Sequence, residues 1–135
     1  MFVDLTTEYI ESAMSPSLYA SYDQWLQDNS GKAGRLDDII SHVLSEYRSA
    51  MVANGAPVPS TPAAIHESCV RHAQTTILFE LKKEIGLSIS EAENAAAIRA
   101  DVFLRAVWMG SILITRDTEQ PSPSYVALAA SIEEP

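Results

Sequence analysis

Between Arg35 and Ala53 apolar side chains recur every three to four positions without a break: Leu36, Ile39, Ile40, Val43, Leu44, Tyr47, Ala50 and Met51. A helix gathers such a series on one side, so the spacing predicts an amphipathic helix of about five turns whose stripe needs partners. Asn54-Gly55 supplies a left-handed C-terminal residue, and Ala56-Pro57-Val58-Pro59-Ser60-Thr61-Pro62 reads as an extended, stiff connector. With Thr61 as N-cap and Pro62 at the first helical position, a second long helix is expected to run to about Ile85. It would carry Ile65, Cys69, Ala73, Ile77 and Leu81 in one register, widened by Val70, Leu78 and Phe79 and closed by Gly86.

The flanking segments follow the same pattern. Leu5, Tyr9, Ile10 and Ala13 fall at helical spacing between Leu5 and Met14, where Thr6 or Thr7 can cap the first turn. Ser15-Pro16 stops that helix and starts another, because proline breaks the helix before it and suits the first turn of the next. From Ser17 to Asp28 the stripe is aromatic-rich, with Leu18, Tyr19, Tyr22, Trp25 and Leu26, and it ends at the loop Asn29 to Gly34. Two overlapping capping boxes, at Ser88 and at Ser90, announce a last long helix. Ala95, Ala96, Ala97 and Ala100 keep its first half slim, Val102, Phe103, Ala106, Val107 and Met109 are expected to bury its second half, and its end is expected near Leu113.

No sustained strand alternation and no internal repeat is evident, and short connectors favour antiparallel neighbouring helices. The fold class is therefore read as all-α, a small bundle of about five helices, three of them long, with an extended C-terminal tail. Residues 1–115 form the bundle domain and 116–135 a proline-containing tail. The core should centre on the Leu36 to Met51 stripe packed against the two helices after Pro62.

Charge narrows the partners. Nine Lys plus Arg against 18 Asp plus Glu give a formal net charge of -9, with no basic cluster beyond Lys82-Lys83. A phosphate-gripping surface needs several cations on one face, so nucleic-acid binding and attraction to anionic membranes are both disfavoured. The single cysteine, Cys69, rules out an internal disulfide framework and suits a reducing compartment. No basic leader or long apolar run is seen near Met1, so a cytoplasmic location is expected.

Chemical motifs are scarce. His66, Cys69 and His72 lie three residues apart, fanning over part of one helix, and offer at most three ligands. A closed zinc site wants four and a catalytic one three plus water, so no metal and no other cofactor is expected. A nucleophilic Cys69 would need an exposed, activated thiolate, whereas its register with Ile65 and Ala73 places it in the core. His42 with Glu46 is an i, i+4 surface pair, and Asp37-Asp38 and Glu91-Glu93 sit at helix starts where the macrodipole favours them. No phosphate loop, nucleophile elbow or H-E-x-x-H motif occurs. The chain is thus expected not to be an enzyme.

Trp108 lies roughly opposite Val102 and Ala106, where it is either a second buried face or an exposed contact. In the tail, Tyr125-Val126-Ala127-Leu128-Ala129-Ala130-Ser131-Ile132 is too apolar for a solvated linker and too isolated, after Pro121 and Pro123, to own a core. It should fold back on its own bundle or lie across a neighbouring subunit. Trp108, Tyr125, Val126, Leu128 and Ile132 are therefore the candidate subunit-interface residues.

The order of elements over residues 5–113 resembles the head-tail connector, or head-completion, adaptors of tailed phages, including the Mu-like prophage branch. The resemblance is carried by the helix start Leu5-Thr6-Thr7-Glu8, the central helix ending before the Gly55 to Pro62 loop, and the pattern Pro62-x-x-Ile65-x-x-x-Cys69-x-x-x-Ala73. A last helix with Arg99-Ala100-x-x-x-Leu104-x-x-x-Trp108-x-Gly110 completes it. The longer, proline-rich loop and the acidic tail after Arg116 depart from the pattern. The resemblance implies a structural ring between portal and tail, assembled in a bacterial cytoplasm and ending in the virion, with the portal and a tail or stopper protein as partners beside further copies of the chain. The competing class is a small helical module that binds a partner protein or an apolar ligand between the Tyr22-Trp25 stripe and the Trp108 helix.

Overall fold

The structure, a computed structural model, describes residues 1–114. It is all-α but for one two-stranded ribbon. In chain order the elements are β1 (Phe2–Asp4), α1 (Thr7–Ala13), α2 (Pro16–Asp28), a 3-10 turn (Ser30–Lys32), α3 (Arg35–Asn54), β2 (Ala64–His66), α4 (Glu67–Glu84) and α5 (Glu91–Trp108). The five helices, with α3, α4 and α5 the long ones, agree with the reading from spacing; the tail after residue 114 lies outside the described residues.

Local chemistry sets the helix starts. Thr6 Oγ1 accepts from the Tyr9 amide and Ser15 Oγ from the Leu18 amide, each meeting a donor that has no partner inside its helix. Of the two capping boxes, Ser90 forms the real one: its hydroxyl accepts from the Glu93 amide at 3.1 Å and the Glu93 carboxylate accepts from the Ser90 amide at 3.0 Å.

Packing follows the stripes. Leu36, Ile39, Ile40, Val43, Leu44, Tyr47, Ala50 and Met51 are all buried on α3, and Ile65, Cys69, Ala73, Ile77 and Leu81 are fully enclosed. Arg35 at the start of α3 meets Glu84 at the end of α4, whereas Asn54 at the end of α3 meets Val107 near the end of α5. Hence α3 runs antiparallel to α4 and parallel to α5.

Three expectations are corrected. The helix read from Pro62 starts instead at Glu67, with His66 as its cap, and Ala64–His66 pairs antiparallel with Phe2–Asp4 in the register Val3 to Ile65. The main-chain carbonyls a helix would use there are already taken: Ala63 accepts from the Leu5 amide at 2.9 Å, and Thr61 and Ala64 accept from Arg48. The last helix ends at Trp108 rather than near Leu113. Gly110 at φ 76° is the left-handed residue of a Schellman turn, in which the Ser111 amide donates to Ala106 and the Gly110 amide to Val107. Finally, Val102 and Met109 are not buried. Ala100, Phe103 and Val107 face the core, and the helical period puts Val102 and Met109 on the other side.

Candidate functional site

His66 is buried at the β2–α4 junction, where its Nδ1 accepts from the Ser68 amide at 3.1 Å and its ring meets Phe2 edge-on. It caps a helix. Cys69 is wholly enclosed, and burial pushes its thiol up to about 11, so a thiolate is suppressed where a nucleophile would need one. His72 stacks on Phe103 with ring centroids 4.2 Å apart; desolvation, with Arg71 and Arg99 adding to it, lowers its pKa. The three residues therefore do different structural jobs. Among the described residues no group of three or more His, Cys, Asp or Glu is placed to hold a metal ion, and no helix is long and apolar enough to cross a membrane.

His42 and Glu46 do meet, at 3.7 Å on the exposed side of α3. Asp37 and Asp38 lie in the first turn of α3, and Glu91 and Glu93 in the first turn of α5. Glu93 also receives Lys82 of α4, which together with the Ser90 amide pulls its carboxyl down to about 2. This contact closes the α4–α5 corner.

An open groove of about 900 Å3 runs between the start of α1, the outer side of α3 and the chain at Val58 to Ala63. Thr6, Ser41, Ser45 and Ser49 line it, with Arg48 at its wall. Much of its polarity is committed. Arg48 donates to the carbonyls of Pro59 at 2.7 Å, Thr61 at 2.9 Å and Ala64 at 2.8 Å, while Thr6 caps α1. The guanidinium thus holds the proline-bearing connector against α3, a role sequence patterning did not single out.

The most conspicuous surface is the outer face of α5. Ile98, Val102 and Met109 succeed one another at helical spacing, with Val102 60% and Met109 77% exposed. Trp108 is half-exposed, so it does not form a second buried face. Ile112 and Leu113 prolong the apolar surface beyond the helix end. Arg105 lies within the face and is held by Asp101, 3.0 Å away, and Arg99 is exposed nearly two turns earlier. The outer face is firmly anchored. Asn54 Nδ2 donates to the carbonyls of Val107 at 2.9 Å and Ile112 at 2.7 Å, and Ile114, buried beside it, donates its amide to Asn54 Oδ1 at 3.4 Å. Of the candidate interface residues, Trp108 belongs to this surface, while Tyr125, Val126, Leu128 and Ile132 lie outside the described residues.

On the α2 side, Tyr22 is buried and Trp25 packs against the core cluster, so the aromatic stripe is spent largely on packing; Tyr19 alone of the three is exposed. Compared with protein-family models, with curated proteins and with solved structures, the chain matches none.

Proposed function

We propose that this chain is a non-enzymatic structural adaptor of tailed-phage virion assembly, one subunit of a ring standing between the portal and the tail. The observation that carries the reading is the outer face of α5, where Ile98, Val102 and Met109 line up in water on a helix whose inner face is already in the core. Apolar side chains exposed in a row, here with the Arg105–Asp101 pair among them, suit contact with another protein. A small bundle whose His66, His72 and Cys69 are absorbed into structure has protein contact as its main remaining chemistry.

Charge supports the same reading. At a net charge of -9 the surface repels a polyanion, so a ring of such subunits lets DNA pass without gripping it. The partners in this reading are further copies of the chain, the portal, and a tail or stopper protein. Nucleic-acid sequence and membranes play no part, and no cofactor is required. Assembly takes place in the bacterial cytoplasm and the product is part of the virion. The alternative, a ligand held between the Tyr22-Trp25 stripe and the Trp108 helix, loses one wall because Tyr22 is buried.

The test is negative-stain imaging of the full chain mixed with portal-bearing, DNA-filled capsids from the phage or prophage that encodes it. A ring of added density at the portal vertex is the expected result. Capsids unchanged by a saturating excess of the chain would refute the proposal.

A further inference from the structure

The groove between the start of α1, the outer side of α3 and the chain at Val58 to Ala63 has no part in the connector reading, and its chemistry is unlike that of the α5 face. Leu5, Ile40 and Leu44 form a buried floor, and the exposed Val52 prolongs it along α3. Ser41, Ser45 and Ser49 stand beside this floor at four-residue intervals. Among the described residues these three hydroxyls make no hydrogen bond. The Glu8 and Asp37 carboxylates, which also line the groove, make neither a hydrogen bond nor an ion pair among those residues.

We propose that this groove binds an extended, lysine- or arginine-bearing segment of another protein. Spacing argues for an extended chain. Residues four apart on a helix are separated by about 6 Å along its axis, and a strand turns main-chain N–H and C=O groups to one edge every second residue, about 6.6 Å. Each serine hydroxyl can both donate and accept. Three in such a row therefore suit successive main-chain groups of one peptide, which crosses α3 obliquely because the row slants around the helix. From Asp37 to Val52 is about 22 Å of α3, the reach of about seven extended residues. An open groove of about 900 Å3 suits a chain passing through it better than a small molecule, whose sites enclose most of its surface.

Charge decides the kind of segment. Arg48 is the one cation among the lining residues, and the carbonyls of Pro59, Thr61 and Ala64 occupy its guanidinium. Its place on α3 is about 16 Å beyond that of Asp37, about two Debye lengths at physiological salt. The unpaired carboxylates thus draw a cation to their end of the groove, and such complementarity selects one partner over others. This chain itself is a poor occupant. Residues 115–135 carry one cation, Arg116, against Asp117, Glu119, Glu133 and Glu134, and a second copy brings a net charge of -9. A basic protein, presenting a short stretch in extended form, meets both the hydroxyl row and the acidic end.

The probe is a blocked heptapeptide with five alternating valine and serine residues between two lysines, so that either chain direction brings a cation to the acidic end; its counterpart carries glutamate in place of lysine. Nitrogen–proton correlation spectra of the full chain, titrated to about 5 mM peptide, cover dissociation constants into the millimolar range. The lysine peptide should shift the amides of Ser41, Ser45 and Ser49, and the glutamate peptide should leave them in place. Glu8→Gln/Asp37→Asn should weaken the lysine peptide about fivefold, the effect of losing exposed ion pairs. Ser45→Arg, which sets a bulky cation in the row and leaves both carboxylates intact, should abolish the shifts. All three positions are exposed, and circular dichroism with melting checks that the variants stay folded.

No shift at the highest peptide concentration, equal binding of the glutamate peptide, or unchanged affinity in the double variant would overturn the inference. Spermidine that moves the same amides as strongly as the peptide would overturn it too, because the groove would then be a patch for any cation. The connector reading is tested separately, by decoration of capsids, and stands or falls without this groove.

Discussion

Arg48 offers the sharpest test of how the proline-bearing connector is held. Its Nη1 donates to Thr61 at 2.9 Å and Ala64 at 2.8 Å, and its Nη2 donates to Pro59 at 2.7 Å. Arg48→Met keeps most of the aliphatic stem and removes all three donors. A hydrogen bond from a charged group contributes ~1.5–3 kcal/mol net. The bonds to Pro59 and Ala64 are part-buried and the one to Thr61 is exposed. Taking the lower end for the first two and little for the third gives a loss of about 3 kcal/mol. For a chain of this size that lowers Tm by roughly 10 °C. Arg48→Lys, a point charge without the planar fork, should recover only about a third, since it serves one carbonyl well. Thermal unfolding followed by circular dichroism measures both variants, and hydrogen exchange should quicken in the β1–β2 ribbon because Ala64 belongs to β2. An Arg48→Met chain melting within about 2 °C of the parent, with ribbon amides equally protected, would show that proline stiffness alone holds the connector.

Three further outcomes are expected. Glu93 is held at about 2 by Lys82 and the Ser90 amide, against ~4.3 in an unfolded chain, so its stabilisation is complete above the higher value and disappears as pH falls through the lower. Urea midpoints of the parent and Glu93→Gln should therefore differ by a constant gap near neutrality and converge on acidification towards pH 2; a gap that persists in acid would contradict the assignment. Because burial holds the Cys69 thiol at about 11, a disulfide reagent at mildly alkaline pH should leave the native protein untouched and react fully in denaturant, whereas rapid native labelling would contradict its enclosure. Ile65→Ala should cost ~2–5 kcal/mol, while Val102→Ala should stay within about 0.5 kcal/mol of the parent; equal costs would mean that the inner and outer faces have been confused.

The helices were legible because each carries several turns of one repeating signal and a local terminus. The stripe from Leu36 to Met51 is buried residue for residue, and Ser90 and Thr6 cap where their chemistry suggests. The ribbon was not legible. Phe2–Asp4 and Ala64–His66 are three residues each, too short to show alternation, and the partner that turns Ala64–His66 into a strand lies about sixty residues away. Thr61-Pro62 is a sound local start signal that loses to a distant partner and to Arg48. Arg48 itself was invisible as a clamp, because a lone cation on an amphipathic helix reads as solvated surface until the connector is folded over it. Among the proposed interface residues only Trp108 has a described position, and periodicity alone left its side undecided.

The last helix shows why apolar content and burial part company. A helix with apolar residues on more than one side is expected to be enclosed, yet α3 and α4 meet α5 along the side of Ala100, Phe103 and Val107 and leave Ile98, Val102 and Met109 outside. Full burial of one such side chain is worth ~1.5–3 kcal/mol, so covering the three, already partly shielded, brings on the order of 4–6 kcal/mol. Association of two free molecules costs ~4–15 kcal/mol in lost translation and rotation. The gain from one such contact is therefore comparable to the cost of forming it, and repulsion between chains at -9 works against it. In the ring proposed above, each subunit would make the contact with a neighbour on either side, and the last contact would join ends that are already neighbours. On that proposal, an apolar row too weak to hold a pair becomes strong enough when the same contact is repeated around a closed assembly.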